Sequence, residues 1–589
     1  MSTNTEQEII LTGIGASPGI CIGKAYLVDK EGVEVVQKYS IEEKDLESEI
    51  NRFKAAVKKA TDELHEIIEN TPEVFRQHAY ILETHMVLLK DKMLYGKTID
   101  SIRNDRVNAE WALKNIVSNI RSIFQNISDP YLRERSADIL QVSDRIMRSL
   151  TGAQGVNIAE IDKRVVLVAH DLSPADTSQI QIDRVMGFIT DRGGSTSHSA
   201  IIARTLEIPA IMGLGNATDL IKNDDLIIVD GSAGIVIVRP SEKSLVEYEE
   251  RKVRFYQHRA VISRDSYLPA ETLDGTRLLV MGNIELPEEI VSVIDHGGDG
   301  IGLYRTEFQY LSRTDFPGEA ELFERYKDVA EVMAPKPVTI RTLDINGDKA
   351  LGNASTSDEE NPALGLRAIR YCLKNPDVFK IQLRAILRAA AYGNVGVMFP
   401  MISSCDEILE AKFLLKEAAD SLEAQGETYK SDIEVGILIE VPSAVVMAAE
   451  MAELVDFFSI GTNDLIQYAL AIDRGNRQVA HMYHPLNPAI LRMLKHVADV
   501  AKDKGLRIAM CGEMAGDPFH VPILLGLGIN ELSMNPQSIP SIKTMIRSLR
   551  IIDTLELTKE ALKKATAKEI ADLVQEACGT IISNKMLAA

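Results

Sequence analysis

A glycine-rich turn, Asp191-Arg-Gly-Gly-Ser-Thr-Ser-His-Ser-Ala, follows a β-like run and leads into a helical stretch that begins near His198. Backbone N–H groups at such a turn and at a helix start are free to bind an anion. An imidazole there can attack a phosphoryl group and carry it as a covalent intermediate, stabilised by the helix start and by hydroxyls such as Thr196. His198 therefore reads as a phosphoacceptor, with a structural histidine as the other reading. A histidine without this setting reads as structural. His78, His85 and His296 are taken as surface or packing residues, and His481 and His484, which flank Tyr483 and Pro485 near the expected barrel face, as loop-packing residues with a substrate role as the second reading.

A second set of polar groups follows short apolar runs: Asn283, Arg305 and Glu307, Arg341 and Asp344, Glu440, Asn463 and Asp464, Cys511 and Glu513. Arg305 and Arg341 offer planar forks suited to carboxylate or phosphate, and Arg367 and Arg474 lie in adjoining loops. The substrate they suit is a small polyanion. Glu440 and Asp464 supply hard oxygen ligands with no histidine or thiolate beside them, which selects Mg2+ or Mn2+ held jointly by carboxylate and phosphorylated substrate. Strand-end arginines and carboxylates also form structural ion pairs, but four arginines with two carboxylates exceed what closing a fold requires. Cys511 reads as a small buried hydrophobe or, beside Gly512 at a strand end, as a general acid. Its reference pKa of ~8.5 keeps a thiol protonated at neutral pH.

Placing those groups together calls for a scaffold that brings strand ends to one face. From Thr272 onward, apolar runs recur between helical stretches: Leu278–Met281, Gly300–Tyr304, Val338–Arg341, Val395–Phe399, Val435–Ile439, Phe457–Ile460, Arg507–Met510 and Glu531–Met534. Roughly eight βα units over about 300 residues predict a TIM barrel, whose active sites gather after the strands. An open doubly wound sheet is the alternative. Upstream, Leu46, Ile50, Phe53, Val57, Ala60, Leu64 and Ile67 repeat at helical spacing, and further helical runs pass through Phe75 to Met93, Asn108 to Phe124 and Ser136 to Leu150. These predict a helical bundle. Val165–Val168, Val185–Ile189 and Leu226–Val229 read as buried strands, the last joined through Gly231-Ser-Ala-Gly to Ile235–Val238 as a hairpin.

The β-like opening from Ile9 to Val28 finds no partner among the helices. It is expected to pair with the later sheet, which makes the bundle an insertion. The expected organisation is multidomain α/β: residues 1–30 with 151–240 as one domain, 31–150 as inserted helices, 241–264 as a linker helix, and 265–589 as the barrel. A chain of 589 residues fits roughly three or four domains. Asp and Glu number 86 against 65 Lys and Arg, and the net charge of −21 disfavours nucleic acid and anionic lipid. The five cysteines show no Cys-x-x-Cys spacing, which fits a reducing cytoplasm. No leader and no apolar run near ~20 residues is seen, so a soluble cytoplasmic chain without membrane insertion is expected.

Over essentially its whole length the sequence resembles the enzyme I family of the bacterial phosphotransferase system, the phosphoenolpyruvate-protein phosphotransferases. The resemblance rests on Ala16-Ser-Pro-Gly-Ile, Gly193-Gly-Ser-Thr-Ser-His198, Arg305-Thr-Glu-Phe, Arg341-Thr-Leu-Asp, Asn361-Pro-Ala-Leu-Gly-Leu-Arg367, Glu440-Val-Pro, Gly461-Thr-Asn-Asp464, Asp473-Arg-Gly-Asn and Cys511-Gly-Glu-Met-Ala-Gly, in that order. It implies that the barrel binds phosphoenolpyruvate with Mg2+ and forms a homodimer. It further implies that His198 is phosphorylated on Nε2 and passes the group to a histidine of the carrier HPr, docked on the inserted helices, in the first step of sugar uptake. By motif, Arg305, Arg341, Arg474, Asn463 and Asp464 would contact phosphoenolpyruvate, with Arg367 as a further phosphate contact. Glu440 and Asp464 would hold the metal, and Cys511 would protonate the enolate carbon to give pyruvate. A swivelling phosphohistidine domain follows as a requirement, since acceptor and clamp lie in different domains.

The family's usual Gly-Gly-Arg-Thr-Ser-His has Ser195 in place of arginine, with Arg204 a substitute for the lost charge. Lys90 and Lys92 lie where an acidic docking face for a basic carrier is expected. Phosphoenolpyruvate synthase and pyruvate phosphate dikinase share the chemistry but need a nucleotide-binding domain, for which no glycine-rich loop is evident. A nitrogen-branch enzyme I and a regulatory scaffold that binds carriers without turnover are the remaining alternatives.

Overall fold

The computed structural model describes residues 8–28, 38–70, 82, 85–86, 88–89, 91–125, 130–152, 158, 161–181, 183–194, 197–310, 315–345, 361–474, 476 and 478–585. The chain divides into two compact units, the first extending through Tyr256 and the second from Gln257 to Ala588.

In the first unit, β1 (Ile9–Thr12), β2 (Ile14–Ser17), β3 (Ile20–Leu27), β4 (Val165–Ala169), β5 (Val185–Thr190), β6 (Ala210–Met212), β7 (Leu226–Asp230) and β8 (Ile235–Val238) form one sheet in the order β1-β8-β7-β3-β4-β5-β6-β2. The opening strands do pair with the later ones: β3 lies parallel to β4 and antiparallel to β7, and β7–β8 is the hairpin expected from its glycine turn. Strands β1 and β2 are separated only by Gly13 yet occupy opposite edges of the sheet, so the sheet curls until its edges approach. The closeness shows at Gly15, where a Cβ would lie 2.3 Å from the Gly231 carbonyl oxygen.

Between β3 and β4 the chain builds the helices Leu46–Asn70, Lys97–Asp105, Ala109–Gln125 and Pro130–Thr151. Ile50, Phe53, Val57, Leu64, Leu113 and Ile146 share one buried core, the inward stripe of amphipathic helices. Arg52 fastens two of them, donating to Glu49 at 3.0 and 2.7 Å and to Glu110 at 2.8 and 2.7 Å. The run predicted through Phe75, with His78 and Lys90, falls largely outside the described residues, and Leu82, His85 and Leu89 within it are buried. The segment predicted as a linker is the helix Glu242–Asp265, whose Leu245 and Tyr248 pack on Ile20, Ile228 and Ile237 of the sheet.

The second unit contains a closed, all-parallel barrel of β9 (Leu279–Ile284), β10 (Ile301–Tyr304), β11 (Pro337–Arg341), β12 (Asn394–Phe399), β13 (Val435–Ile439), β14 (Phe457–Ile460), β15 (Arg507–Met510) and β16 (Glu531–Met534). Each strand pairs with the next, and β16 closes on β9 from Glu531 opposite Leu279 to Met534 opposite Gly282. The eight apolar runs are these strands, so the barrel holds and the open sheet is excluded. Near-continuous burial along β12 and β13 reflects a parallel strand covered on both faces. Leu303, Met398, Leu438 and Phe457 of the strands, with Cys511 just after β15, make a separate small cluster apart from the large strand–helix core.

Candidate active site

Five residues at or beyond the barrel strand ends, Glu307, Arg341, Asp344, Arg367 and Asp464, are joined in one chain of alternating charge. Arg341 ends β11, and its Nη2 donates to Glu307 Oε1 at 2.8 Å while Nη1 lies 3.2 Å from Asp344 Oδ2. Asp344 in turn receives the fork of Arg367, Nε on Oδ1 at 2.8 Å and Nη2 on Oδ2 at 3.1 Å. The same guanidinium reaches Tyr468 Oη at 3.3 Å and Asp464 Oδ2 at 3.4 Å. Buried charges on this scale persist only when paired and hydrogen-bonded. Burial works against the charge of Asp344, but Arg341 and Arg367 outweigh it and hold the carboxyl below its usual range. Glu307 shows the opposite balance: burial pushes it up, with Arg341 compensating only in part.

Glu440 stands immediately after β13, 1% exposed, and its Oε1 accepts the Met401 N–H at 2.6 Å. Burial, then the charges of Asp464 and Asp344, drive its carboxyl well above the ordinary value. A Cβ at position 461 would lie 2.9 Å from Glu440 Oε2, so glycine there leaves room for the carboxylate. Asn463 and Asp464 open the helix Thr462–Leu470, where acidic side chains are favoured by the helix dipole. Asn463 exchanges hydrogen bonds with Glu513, accepting its N–H at 2.9 Å and donating to Oε1 at 3.2 Å. Arg474 Nη1 donates to the same Oε1 at 2.8 Å, and Arg305 Nη1 donates to Glu285 Oε1 at 2.6 Å.

Cys511 follows β15, 4% exposed, its sulfur accepting from Ser459 Oγ at 3.3 Å and facing the Ile460 carbonyl oxygen at 3.7 Å. Burial raises its pKa despite the Ser459 hydrogen bond and the nearby charges of Arg341 and Arg305, so the sulfur is a neutral thiol at physiological pH. Asn283 ties the strand ends together, donating to the Cys511 carbonyl at 3.0 Å and accepting from Ser533 Oγ at 2.5 Å.

In the first unit, the turn after β5 leads to the helix His198–Thr205, with Ser197 as its cap, Oγ accepting the Ala200 N–H at 3.3 Å. Ser195, Thr196 and the side chain of His198 lie outside the described residues. Asp191 is anchored by the start of the helix Ala217–Leu220, accepting from the N–H groups of Ala217 and Thr218 at 2.5 and 3.2 Å. The helix bearing His198 is fixed by Ser199 Oγ on the Leu172 carbonyl at 3.0 Å and by Arg204 Nη1 on the Ala16 carbonyl at 3.1 Å. Arg204 is thus in the last turn, about 9 Å of helix rise from position 198, and its guanidinium serves the Ala16-Ser-Pro-Gly opening.

Glu285, Tyr468 and Ser459 belong to this constellation and escape the strand-end reading of the sequence. Glu285 could have been found by extending the first barrel strand through Ile284, whereas Tyr468 arrives from a helix 101 positions beyond Arg367 and carries no local signal.

A closed parallel barrel with arginines, paired carboxylates and a buried thiol at its strand ends defines an enzyme of a small anionic substrate. Family models give the class: "PEP-utilising enzyme, N-terminal" matches residues 12–135, "PEP-utilising enzyme, mobile domain" residues 161–234, and "PEP-utilising enzyme, PEP-binding domain" residues 259–551. The Phosphoenolpyruvate-protein phosphotransferase of Bacillus sp. (strain S) is 44% identical over 97% of this chain and 99% of its own. Those of Listeria monocytogenes and Bacillus subtilis are 44% and 43% identical, each over 96% of this chain and 99% of their own. A solution NMR structure of an Enzyme I protein is 41% identical over 42% of this chain and 99% of its own, with a TM-score of 0.38. This chain belongs to the phosphoenolpyruvate-protein phosphotransferase family.

Proposed function

We propose that the barrel takes the phosphoryl group from phosphoenolpyruvate, that His198 receives it on Nε2, and that the group then passes to a histidine of an HPr-type carrier. The observation that carries this reading is the charge chain Glu307–Arg341–Asp344–Arg367–Asp464 with Cys511 and Glu440 beside it at the strand ends. Phosphoryl transfer is mostly positioning and charge neutralisation, which guanidinium groups supply in a site shielded from water. Arg305, Arg341 and Arg474, with Asn463 and Asp464, hold the substrate's phosphate and carboxylate, and Arg367 supports the phosphate side. As the P–O bond breaks and the Nε2–P bond forms, an enolate is left. The neutral thiol of Cys511 gives its proton to the methylene carbon, and pyruvate departs.

Glu440 and Asp464 fit a divalent cation. Mg2+ takes one or two carboxylates and completes its shell with phosphate and water, so these two groups and the phosphorylated substrate would suffice to hold it. Burial first and the charges of Asp464 and Asp344 second raise Glu440, and a shared cation would offset both by favouring the ionised carboxylates. Bound there, Mg2+ would neutralise charge on the transferring group.

Acceptor and clamp lie in different units, so the cycle requires His198 to be presented first to the barrel and then to the carrier. The inserted helices are the carrier's docking surface in this reading, with residues 1–30 and 151–240 as the phosphohistidine domain and 265–589 as the barrel and homodimer domain. No described helix is long and apolar enough to cross a membrane; a cytoplasmic location is part of this reading.

The test is incubation with labelled phosphoenolpyruvate and Mg2+, with His198→Ala in parallel. An acid-labile, base-stable label on the wild type alone, with pyruvate released, is expected. A wild type that binds phosphoenolpyruvate without being labelled overturns the reading and favours a carrier-binding scaffold.

A further inference from the structure

We propose that Gln382 is a positioning residue for the anion clamp, an inference that rests on the barrel reading above. Gln382 lies on the helix Pro376–Ala389, 1% exposed, and contributes no charge to the site. Its side-chain amide uses both ends. Oε1 accepts the Leu343 N–H at 3.0 Å, and Nε2 donates to Thr306 Oγ1 at 3.0 Å and Tyr326 Oη at 3.1 Å. Thr306 Oγ1 donates onward to the Arg341 carbonyl at 3.0 Å.

The neighbours of these contacts give them meaning. Thr306 follows Arg305, and Leu343 precedes Asp344, which holds Arg367 through two hydrogen bonds. One neutral amide therefore fixes the loop after β10 against the loop after β11, and three of the clamp's arginines take their places from those loops. Only a group that donates and accepts at once can do this. A carboxylate of the same shape lacks the donors, and a thioether of similar volume lacks the donors and accepts only weakly. Gln382 and Thr306 are buried, so a Leu343 N–H left unmatched would seek another partner by moving its loop, and Thr306 would lose the donor that holds its hydroxyl.

The experiment compares Gln382→Met, Gln382→Glu and Thr306→Val with the wild type in phosphoenolpyruvate-dependent labelling of His198, below the unfolding temperature of each. Gln382→Met is expected to raise KM for phosphoenolpyruvate about 10- to 100-fold, the range found for partners that orient ligating groups, with a smaller change in kcat. The defect of Gln382→Glu is expected to be milder at about pH 6 than at about pH 8, because a buried, protonated glutamic acid regains a donor. A role in folding alone lowers the unfolding temperature and leaves KM in place, so a KM within twofold of wild type in Gln382→Met overturns the proposal. Should that variant not fold, Thr306→Val decides: a KM raised at least about threefold supports the proposal, and an unchanged one overturns it. A wild type that takes no label brings down the parent reading instead, which separates the two failures.

Discussion

Replacing Asp344 by asparagine keeps the shape of the side chain and removes one charge from between two buried guanidinium groups. Asp344 is 2% exposed at its side chain and receives Arg367 at 2.8 and 3.1 Å and Arg341 at 3.2 Å. In Asp344→Asn, Arg341 retains Glu307, but Arg367 is left with one amide oxygen at position 344, with Tyr468, and with the longer contact to Asp464 as its ion pair. Removing one partner of a buried pair costs about 3–5 kcal/mol, because the remaining charge stays desolvated. At about 2 °C per kcal/mol, the low end for large domains, the barrel's unfolding transition should fall by roughly 6–10 °C near neutral pH.

The pH dependence sharpens the test. The folded carboxyl is held below its unfolded value of 3.8, so its contribution is complete above that value and is lost as pH falls through the folded one. The stability gap between wild type and Asp344→Asn, measured by urea unfolding of the barrel from about pH 7 down to about pH 3, should be widest at neutral pH and narrow below about pH 4. A gap under about 1 kcal/mol at neutral pH, or one that stays constant in acid, would refute the claim that ionised Asp344 holds the two arginines.

Three further outcomes follow from the same geometry. Glu513→Gln removes an exposed carboxylate from Arg474; since such pairs are worth about 0–1 kcal/mol, KM for phosphoenolpyruvate should fall by up to about fivefold, and a tenfold rise would mean that Glu513 holds Arg474 in place. Cys511→Ala should lower pyruvate formation by about 10²–10⁴-fold with phosphoenolpyruvate binding retained, a loss under tenfold in burst-phase pyruvate release arguing against the thiol as proton donor. Phe53→Ala, a fully buried site in the inserted bundle, should destabilise that bundle by about 3–5 kcal/mol. It should impair transfer to the carrier while His198 is still labelled from phosphoenolpyruvate, and parallel loss of both activities would contradict an independent docking role for the helices.

The barrel was legible because parallel strands buried on both faces leave unbroken apolar runs, and each such run from Leu278 to Met534 became a strand. The helix Lys97–Asp105 was not, since the residues it buries are Thr98, Ser101 and Ile102, too polar a stripe to register as periodic hydrophobicity. In the site, the rule that function gathers after barrel strands marked Arg305, Arg341, Glu440, Asp464 and Cys511. What it could not supply was who pairs with whom. That Arg367 would spend its fork on Asp344, or that Gln382 would bridge two loops, depends on side chains brought together by closure of the barrel, and no spacing within one segment encodes it.

Those pairings also rank the arginines. Every guanidinium of the clamp already faces a carboxylate, so substrate binding is an exchange of one anion for another. The exchange is easy where the resident carboxylate can leave into water and hard where it cannot. Glu285 and Glu513, the partners of Arg305 and Arg474, have side chains 34% and 71% exposed, whereas Glu307 and Asp344, the partners of Arg341, are 13% and 2% exposed. Arg341 and Arg367 therefore form a fixed base whose countercharges stay in place and set the local field. Under the proposed function, Arg305 and Arg474 are the arms that would release their carboxylates and turn to the ligand. On this argument the substrate's charge is met half by a preorganised surface, which favours the transition state without reorganisation, and half by two groups whose release tunes affinity. Substitutions at Glu285 and Glu513 should act on KM, and those at Glu307 and Asp344 on the integrity of the site itself.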